Sequence, residues 1–554
     1  MSLSCRACRL FAHVLSSDDH KGTKAPCFVC SDFPAIDPHR AVPNPSLLSL
    51  CDVCVGRWRI KCLVEAGGCI LKTFTRIFCL SLWGILCLQP VQADAVRLRF
   101  GGQMESNLFL GMVPPAAGAP TNTSNLGRFF DFRNSNSLFM NVRALFNHQF
   151  SAKARVQLRN INFSSATNAT DLELYEQQFP VSVRLYEMVM NFNELFGFMD
   201  LRIGQQRIAW GTATAFNPTD NLNPYNLENP LDFTERLPVP AITASFYTPE
   251  EFFKLTLAAV PFHVPSVVPF RLFKDAIAIE SPVEVPDFLN LDISSVERIQ
   301  RIDTRIENAQ FGAKAAFTFS GVNLSASYFN GYVLFPVQET VDTDIRLSEK
   351  KAIANVTLIY PRVHVLGLDF STSIPGVGIG VWGEFALTIP TKEINLVLYQ
   401  NGEKMEKNPL TGDVIPKTTV MKNEPYLKAT VGLDYTFPGG YYFIVQYMYG
   451  FFNQQNVDEL HHFAFVTFRK SFLRGRLMVQ LTAMGEIDAT KDSGPNKDGL
   501  EMGFAGLLNP EIQIKPIDSA SIILGGIYAR GTTSTTLALF QDLAQVYLRA
   551  RMKF

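Results

Sequence analysis

The sequence predicts an all-β chain: a transmembrane antiparallel β-barrel of about 18 strands, with 16 the nearest alternative. Three observations predict it. Apolar and polar residues alternate in segment after segment of roughly nine to twelve residues, the length of a tilted strand crossing a bilayer. Short turns rich in Gly, Pro, Asn and Asp alternate with long connections, as tight hairpins with long loops at one end require. The chain also closes on a two-faced strand. Val546, Leu548, Ala550, Met552 and Phe554 share one face, and Gln545, Tyr547, Arg549, Arg551 and Lys553 share the other.

That last strand resembles the closing strand of Gram-negative outer-membrane barrels, and the resemblance implies that Phe554 serves as the signal read by the barrel-assembly machinery. Localisation in the outer membrane follows as an expectation, with outer-membrane lipid and lipopolysaccharide as surroundings. Composition agrees. A hydrophobic content of 47% at a mean hydropathy of +0.08 does not supply the repeated apolar runs of about twenty residues that a helical bundle needs. An aromatic content of 12%, with 45 Phe, suits girdles at two membrane interfaces. The formal charge of −1 gives no reason to expect a nucleic-acid partner.

The first 93 residues stand apart. All ten cysteines lie between Cys5 and Cys87. Lys72 and Arg76 precede the apolar run 77–88, and Val91, Gln92 and Ala93 then form a cleavage site before Asp94, so 71–93 reads as a secretory signal peptide. Residues 1–70 hold the pairs Cys5/Cys8, Cys27/Cys30 and Cys51/Cys54, a spacing that suits zinc thiolates. A folded zinc module ahead of an export signal would obstruct translocation. The segment is therefore expected to be an artefactual extension upstream of the true start, with a Cys-rich zinc-binding segment as the alternative. The barrel is expected over 94–554, with no cofactor.

Strands are expected at 94–101, 136–148, 151–163, 180–193, 199–209, 241–247, 252–260, 309–319, 322–334, 362–374, 379–389, 425–437, 441–452, 460–470, 474–486, 500–515, 519–530 and 544–554. The first and last must pair to close the sheet, because no backbone group can stay unpaired in hydrocarbon. A barrel this wide is not filled by its own strand side chains and leaves an aqueous channel. Inward parity falls on Arg97, Arg99, Arg143, Lys153, Arg155, Arg159, Lys254, Lys314, Lys428, Arg476, Arg549, Arg551 and Lys553. Acidic residues of the same parity are fewer: Glu187, Glu384, Asp434 and Glu511. One basic wall across the closing seam is expected, and such a wall attracts anions. The loop 261–308 is long enough to be functional; it either folds into the barrel as a constriction or covers its mouth.

Arg202, Gly204 and Gln206, then Trp210 and Gly211, then Leu222, Asn223 and Pro224 are similar to the R-x-G-x-Q, W-G, L-N-P signature of porin-like outer-membrane families of proteobacteria. The resemblance covers about 25 residues and implies a channel-type barrel, with no solute carried over. Physically, Gly204 permits close strand packing or a bulge, and Trp210 suits the outer aromatic girdle. Gln205, Gln206 and Arg207 break the alternation, and either project into the lumen or bond a folded-in loop.

An enzyme is not expected. The histidines after residue 93 are His148, His263, His364, His461 and His462; none sits in a nucleophile motif, and His461 with His462 reads as an interfacial pair. The function expected is passive diffusion of small polar solutes, with anions preferred if the cations face the lumen. The alternative is a channel for hydrophobic or aromatic compounds, suggested by Phe252, Phe253, Phe262, Phe270 and Phe273. A homo-trimer is left open.

Overall fold

In hydrocarbon each strand N–H and C=O needs a partner from a neighbouring strand, so a spanning sheet has to close. It does. The computed structural model describes residues 49–55, 58–64, 96–112, 130–161, 180–214, 216–228, 234–250, 252–268, 292–346, 351–407, 414–415, 417–489, 502–532 and 535–554. They fall in two units, Met1–Gln92 and Ala93–Phe554.

In the first unit, strands Ser49–Val55 and Trp58–Val64 pair antiparallel, with Cys51 opposite Cys62. Cys51 and Cys54 thus lie on extended backbone. Cys5, Cys8, Cys27 and Cys30, the signal segment 71–93 and the Ala93/Asp94 cleavage site lie outside the described residues.

The second unit is a closed antiparallel barrel of 18 strands. In chain order they are β1 (Arg97–Met112), β2 (Phe130–Leu145), β3 (Phe150–Ile161), β4 (Val181–Leu195), β5 (Met199–Gln206), β6 (Val239–Tyr247), β7 (Phe253–Val260), β8 (Gln310–Phe319), β9 (Val322–Tyr332), β10 (Arg362–Ile374), β11 (Ile379–Pro390), β12 (Tyr426–Phe437), β13 (Tyr441–Tyr449), β14 (His462–Phe472), β15 (Leu477–Asp488), β16 (Gly503–Ile517), β17 (Ala520–Gly531) and β18 (Gln545–Lys553). Each pairs with its neighbours in sequence, and β18 returns to β1. Turns of two residues (320–321) to five (248–252) join alternate strands at the end where β1 begins and β18 finishes. At 320–321 the turn needs φ > 0 at both positions, and Ser320 (φ 43) and Gly321 (φ 88) adopt it.

The outward face is apolar and bare. Leu98, Phe100, Met104 and Leu108 of β1 are 41% to 74% exposed, and Leu508, Ile512 and Ile514 of β16 and Val546, Leu548 and Met552 of β18 are comparably uncovered. No aqueous surface sustains an apolar belt running round a whole barrel, whereas lipid requires one. Phe252, Phe253, Phe317 and Phe319 contribute to that belt at the short-turn end, with Phe252 against Phe319 at 4.6 Å and Phe253 against Phe317 at 5.0 Å. Phe252 and Phe253 are therefore girdle residues; Phe262 lies beyond the far end of β7, and Phe270 and Phe273 lie outside the described residues. The barrel resides in the outer membrane, its short turns at the periplasmic end.

The seam differs from expectation in register. β1 runs on to Met112, and β18 pairs with residues 103–111, Lys553 opposite Gln103 and Gln545 opposite Gly111. Residues 102–112 and 130–135, expected as loop, are strand. Beyond Lys553, the Phe554 N–H donates to Gly102 O (3.1 Å) and Gly102 N–H donates to Phe554 O (2.8 Å). A Cβ on Gly102 would collide with the Phe554 ring and with Phe139 O. We expect Gly102→Val to block this final pairing and to lower the yield of heat-modifiable barrel in isolated outer membranes severalfold. A normal yield would show that the terminal ring need not seat there.

At the opposite end, three connections build a five-stranded sheet, in the order Asp292–Ile299, Lys351–Ile359, Val337–Arg346, Val397–Gln400 and Glu403–Lys404. Val341, Val356, Leu358 and Leu398 form its small core. This is where part of the 261–308 loop goes; residues 269–291 lie outside the described residues.

Candidate functional site: an inward loop and a basic wall

The described residues of the segment between β5 and β6, 207–214, 216–228 and 234–238, fold into the barrel. The segment crosses from β5 to the wall around β11, six strands away in the ladder. Its anchor is Glu384 of β11, a fully buried carboxylate. Glu384 accepts the backbone N–H of Thr212, that of Ala213 (2.6 Å), that of Thr219 (3.4 Å) and the Thr219 hydroxyl (2.8 Å). Gly211 lies against the same carboxylate at φ +88, where a Cβ would come within 2.6 Å of Oε1. Glu384 is thus absorbed by the loop rather than facing open water.

The residues similar to the porin-like signature build this fold-in. Trp210 is buried on Gly312 of β8, where a Cβ would sit 2.5 Å from the indole; it is not in the outer girdle. Arg207 pairs with Asp220 and donates to Asn223 Oδ1 (2.8 Å). Asn223 Oδ1 also accepts the Ile208 N–H (2.9 Å), while its amide donates to Leu237 O (2.7 Å). Gln206, buried, donates to Ala241 O (2.9 Å), and Arg202 donates to Asn191 (3.2 Å). At Gly204, φ is +127 and a Cβ would strike Met188 O, so β5 can approach β4 only through glycine. Pro224 accepts the Leu237 N–H (2.8 Å) and is buried.

Further loops fill the lumen on the β13 to β18 side. Phe451, Phe452, Leu537 and Phe540, with Phe216 of the inward loop, pack against inward Phe463, Met484, Ile523 and Ile527. The segment after β17 is held by Glu486 of β15, which accepts the N–H of Thr536 (2.9 Å) and of Leu537 (2.6 Å) and touches His461 Nδ1 (2.6 Å). His461 therefore faces inward, while His462 faces out and meets the Tyr447 hydroxyl (2.7 Å); they are not one interfacial pair. Ile208, Trp210 and Leu222 pack against β6 to β10.

The side of the lumen left polar is the wall β1 to β5. Lys153 and Arg143 are cross-strand partners, and Arg143 is in turn opposite Arg99. Like charges directly opposite repel, so the Arg99–Arg143 contact is costly for the fold alone, while Lys153 is relieved by its pair with Glu187. A cavity of about 750 Å³ opens there, lined by Arg99, Arg143, Lys153, Arg155, Arg202 and Lys553 with no carboxylate in the lining. Arg155 lies over the Phe139 ring at 4.2 Å and near the Tyr186 ring at 5.0 Å. Its Nε is buried without a hydrogen-bond partner among the described residues.

A bulge shapes the next level. Arg155 pairs with Glu187 but Val156 pairs with Leu185, leaving Tyr186 as the extra residue. Tyr186 and Arg184 are thereby turned inward. Arg184 donates to Glu228 of the inward loop through both terminal nitrogens (2.8 and 2.6 Å), and Arg159 reaches the same carboxylate. Burial would raise the Glu228 carboxyl, but the hydrogen bond from Arg184 and the charges of Arg159 and Arg184 outweigh it and hold the group below the ordinary carboxylate range.

The other expected lumen residues divide. Arg549 and Arg551 do not extend a bare basic wall across the seam. Glu105, on the stretch of β1 expected as loop, lies 2.8 Å from Arg551 and 3.7 Å from Arg549. Lys153 is paired with Glu187, and Lys314 with Asp369 at 2.8 Å. Lys428 donates to Phe451 O (2.6 Å) beneath the loops. Arg476 sits in the turn before β15, at the periplasmic rim. Glu511 accepts the Tyr547 hydroxyl (2.6 Å), and Asp434 lies beside Gly380. Arg97, opposite Leu145, and Lys254, opposite Tyr247, lie at the periplasmic ends of their strands.

A closed 18-strand barrel, apolar outside and narrowed by a folded-in loop, defines an outer-membrane β-barrel of porin-like architecture. A family profile described as "Protein of unknown function (DUF1302)" matches residues 129–392. Among solved structures, the chain is similar to Acinetobacter baumannii OccAB1 (7% identity, TM-score 0.44, 84% of this chain and 98% of that one). It is similar also to Pseudomonas aeruginosa OccK11 (OpdR), at 10% identity and TM-score 0.45, covering 82% and 96%. Salmonella typhi OmpF in complex with daunomycin matches at 12% identity and TM-score 0.36, covering 83% and 98%. No curated protein matches the chain.

Proposed function

We propose that this barrel is a passive channel for small anionic solutes whose route follows the wall β1 to β5. The observation that supports it best is the 750 Å³ cavity, with six cationic side chains and no carboxylate in its lining. Apolar clusters occupy the lumen against β6 to β10 and β13 to β18, so the hydrated route lies where the cations are. A ring of one charge sign concentrates its counter-ions and repels the other sign. In planar lipid bilayers under a KCl gradient, the purified barrel is expected to show a reversal potential on the chloride side of zero. A cation-selective reversal potential, or no conductance, would overturn the proposal.

A further inference from the structure

Resting on that reading, we propose that Glu228 is a displaceable internal carboxylate. It occupies a clamp formed by Arg159 and Arg184 that accepts the carboxylate of a passing solute in its place.

Three features carry this. The first is the shape of the clamp. Arg184 engages both oxygens of Glu228 in a two-pronged fork and Arg159 adds a further prong. Such a fork matches two coplanar oxygens, as in a carboxylate, better than it matches a spherical halide. The second is charge: Arg159 and Arg184 at the clamp and Arg155 beside the Tyr186 ring face two carboxylates, Glu228 and Glu235, so the closed clamp still carries an excess positive charge that draws another anion toward it. The Arg184 side chain is 36% exposed, so an arriving anion reaches it without prior rearrangement.

The third is how Glu228 is presented. Leu227 is fully buried in the aromatic cluster. Its N–H donates to Val267 O (2.9 Å), and Val267 N–H returns to Tyr225 O (2.9 Å). The backbone just before Glu228 is therefore pinned, and exchange needs only rotation of the glutamate side chain. The displaced solute then meets Arg155 on the same strand as Arg159, followed by Arg143 and Lys153 in the cavity. Of the nearby carboxylates, Glu187 is held by Lys153, and Glu235, whose charge reaches Arg184, accepts the Tyr186 hydroxyl (3.0 Å).

The test uses the full barrel in planar bilayers, with chloride current recorded while sodium benzoate is added. In the wild type, benzoate is expected to reduce chloride current saturably. Glu228→Gln removes the competitor, so chloride current should rise severalfold and half-block should fall to about tenfold lower benzoate. Adding Arg184→Lys to Glu228→Gln keeps the charge at the clamp but loses the fork, and should reverse that tenfold gain. Heat-modifiable mobility on gels confirms that each variant is folded. Unchanged chloride current and half-block in Glu228→Gln, in a channel that is anion-selective, would overturn the clamp and leave the channel reading standing. A wild-type barrel without anion preference would overturn the channel reading itself.

Discussion

Glu384→Ala is expected to widen the channel, with single-channel conductance rising about twofold or more as the lumen approaches that of an unplugged barrel. The carboxylate is fully buried and accepts donors from Thr212, Ala213 and Thr219 of the inward loop. Truncation leaves those donors without their acceptor, at about 1–3 kcal/mol for the buried Thr219 and less for the half-buried Thr212 and Ala213. The loop segment 211–219 then gains by leaving the wall and being solvated. Trp210 on Gly312 and the Arg207–Asp220 pair should keep the loop root attached, so the barrel itself should remain folded. Conductance and trypsin cleavage within 207–238 check this together. Unchanged conductance with full protection would mean that the loop is held mainly by its apolar contacts.

Reversing two charges in the cavity, Arg143→Glu with Arg155→Glu, is expected to move the reversal potential from the anion to the cation side. The change replaces two of six lining cations by anions, and the lining holds no carboxylate to begin with. The carboxylate introduced at position 143 would then stand between Arg99 and Lys153 and remove the Arg99–Arg143 repulsion. The carboxylate introduced at position 155 would stand opposite Glu187 and repel it, so heat-modifiable mobility on gels checks that the barrel is intact before the reversal potential is read. An unshifted reversal potential would show that ions pass elsewhere.

Much of the barrel was legible because lipid and water sort side chains with a period of two. β3, where Ala152, Ala154 and Val156 oppose Lys153, Arg155 and Arg159, is readable from that alternation, and so is the closing strand up to Phe554. The missed stretch 102–112 begins with Gly102, just after Gly101, and Gln103, Glu105, Ser106 and Asn107 then leave no apolar run to read. Glu105 was lost with it, and the seam looked more basic than it is. Arg184 was hidden for another reason: the extra residue at Tyr186 shifts the inward set by one, and parity counted through it places Arg184 in lipid. The inward loop carries no period at all. Its place depends on contacts across the barrel, with Glu384 lying 172 residues from Thr212, so Glu384 read as an ordinary lumen acid and Trp210 as a girdle residue.

The Tyr186 bulge makes the clamp a matter of strand arithmetic. Its outer segment, with Ser182 and Arg184 inward and Val183 and Leu185 outward, stays in phase with lipid only because one residue is unpaired. A single-codon deletion there would exchange the whole set at once, carrying an arginine into the bilayer and aliphatic side chains into the pore. Insertions and deletions are usually tolerated in loops and judged by length. Here one residue inside a strand holds both membrane fit and pore chemistry, so the ancestry of this specificity is to be sought in gaps as much as in substitutions.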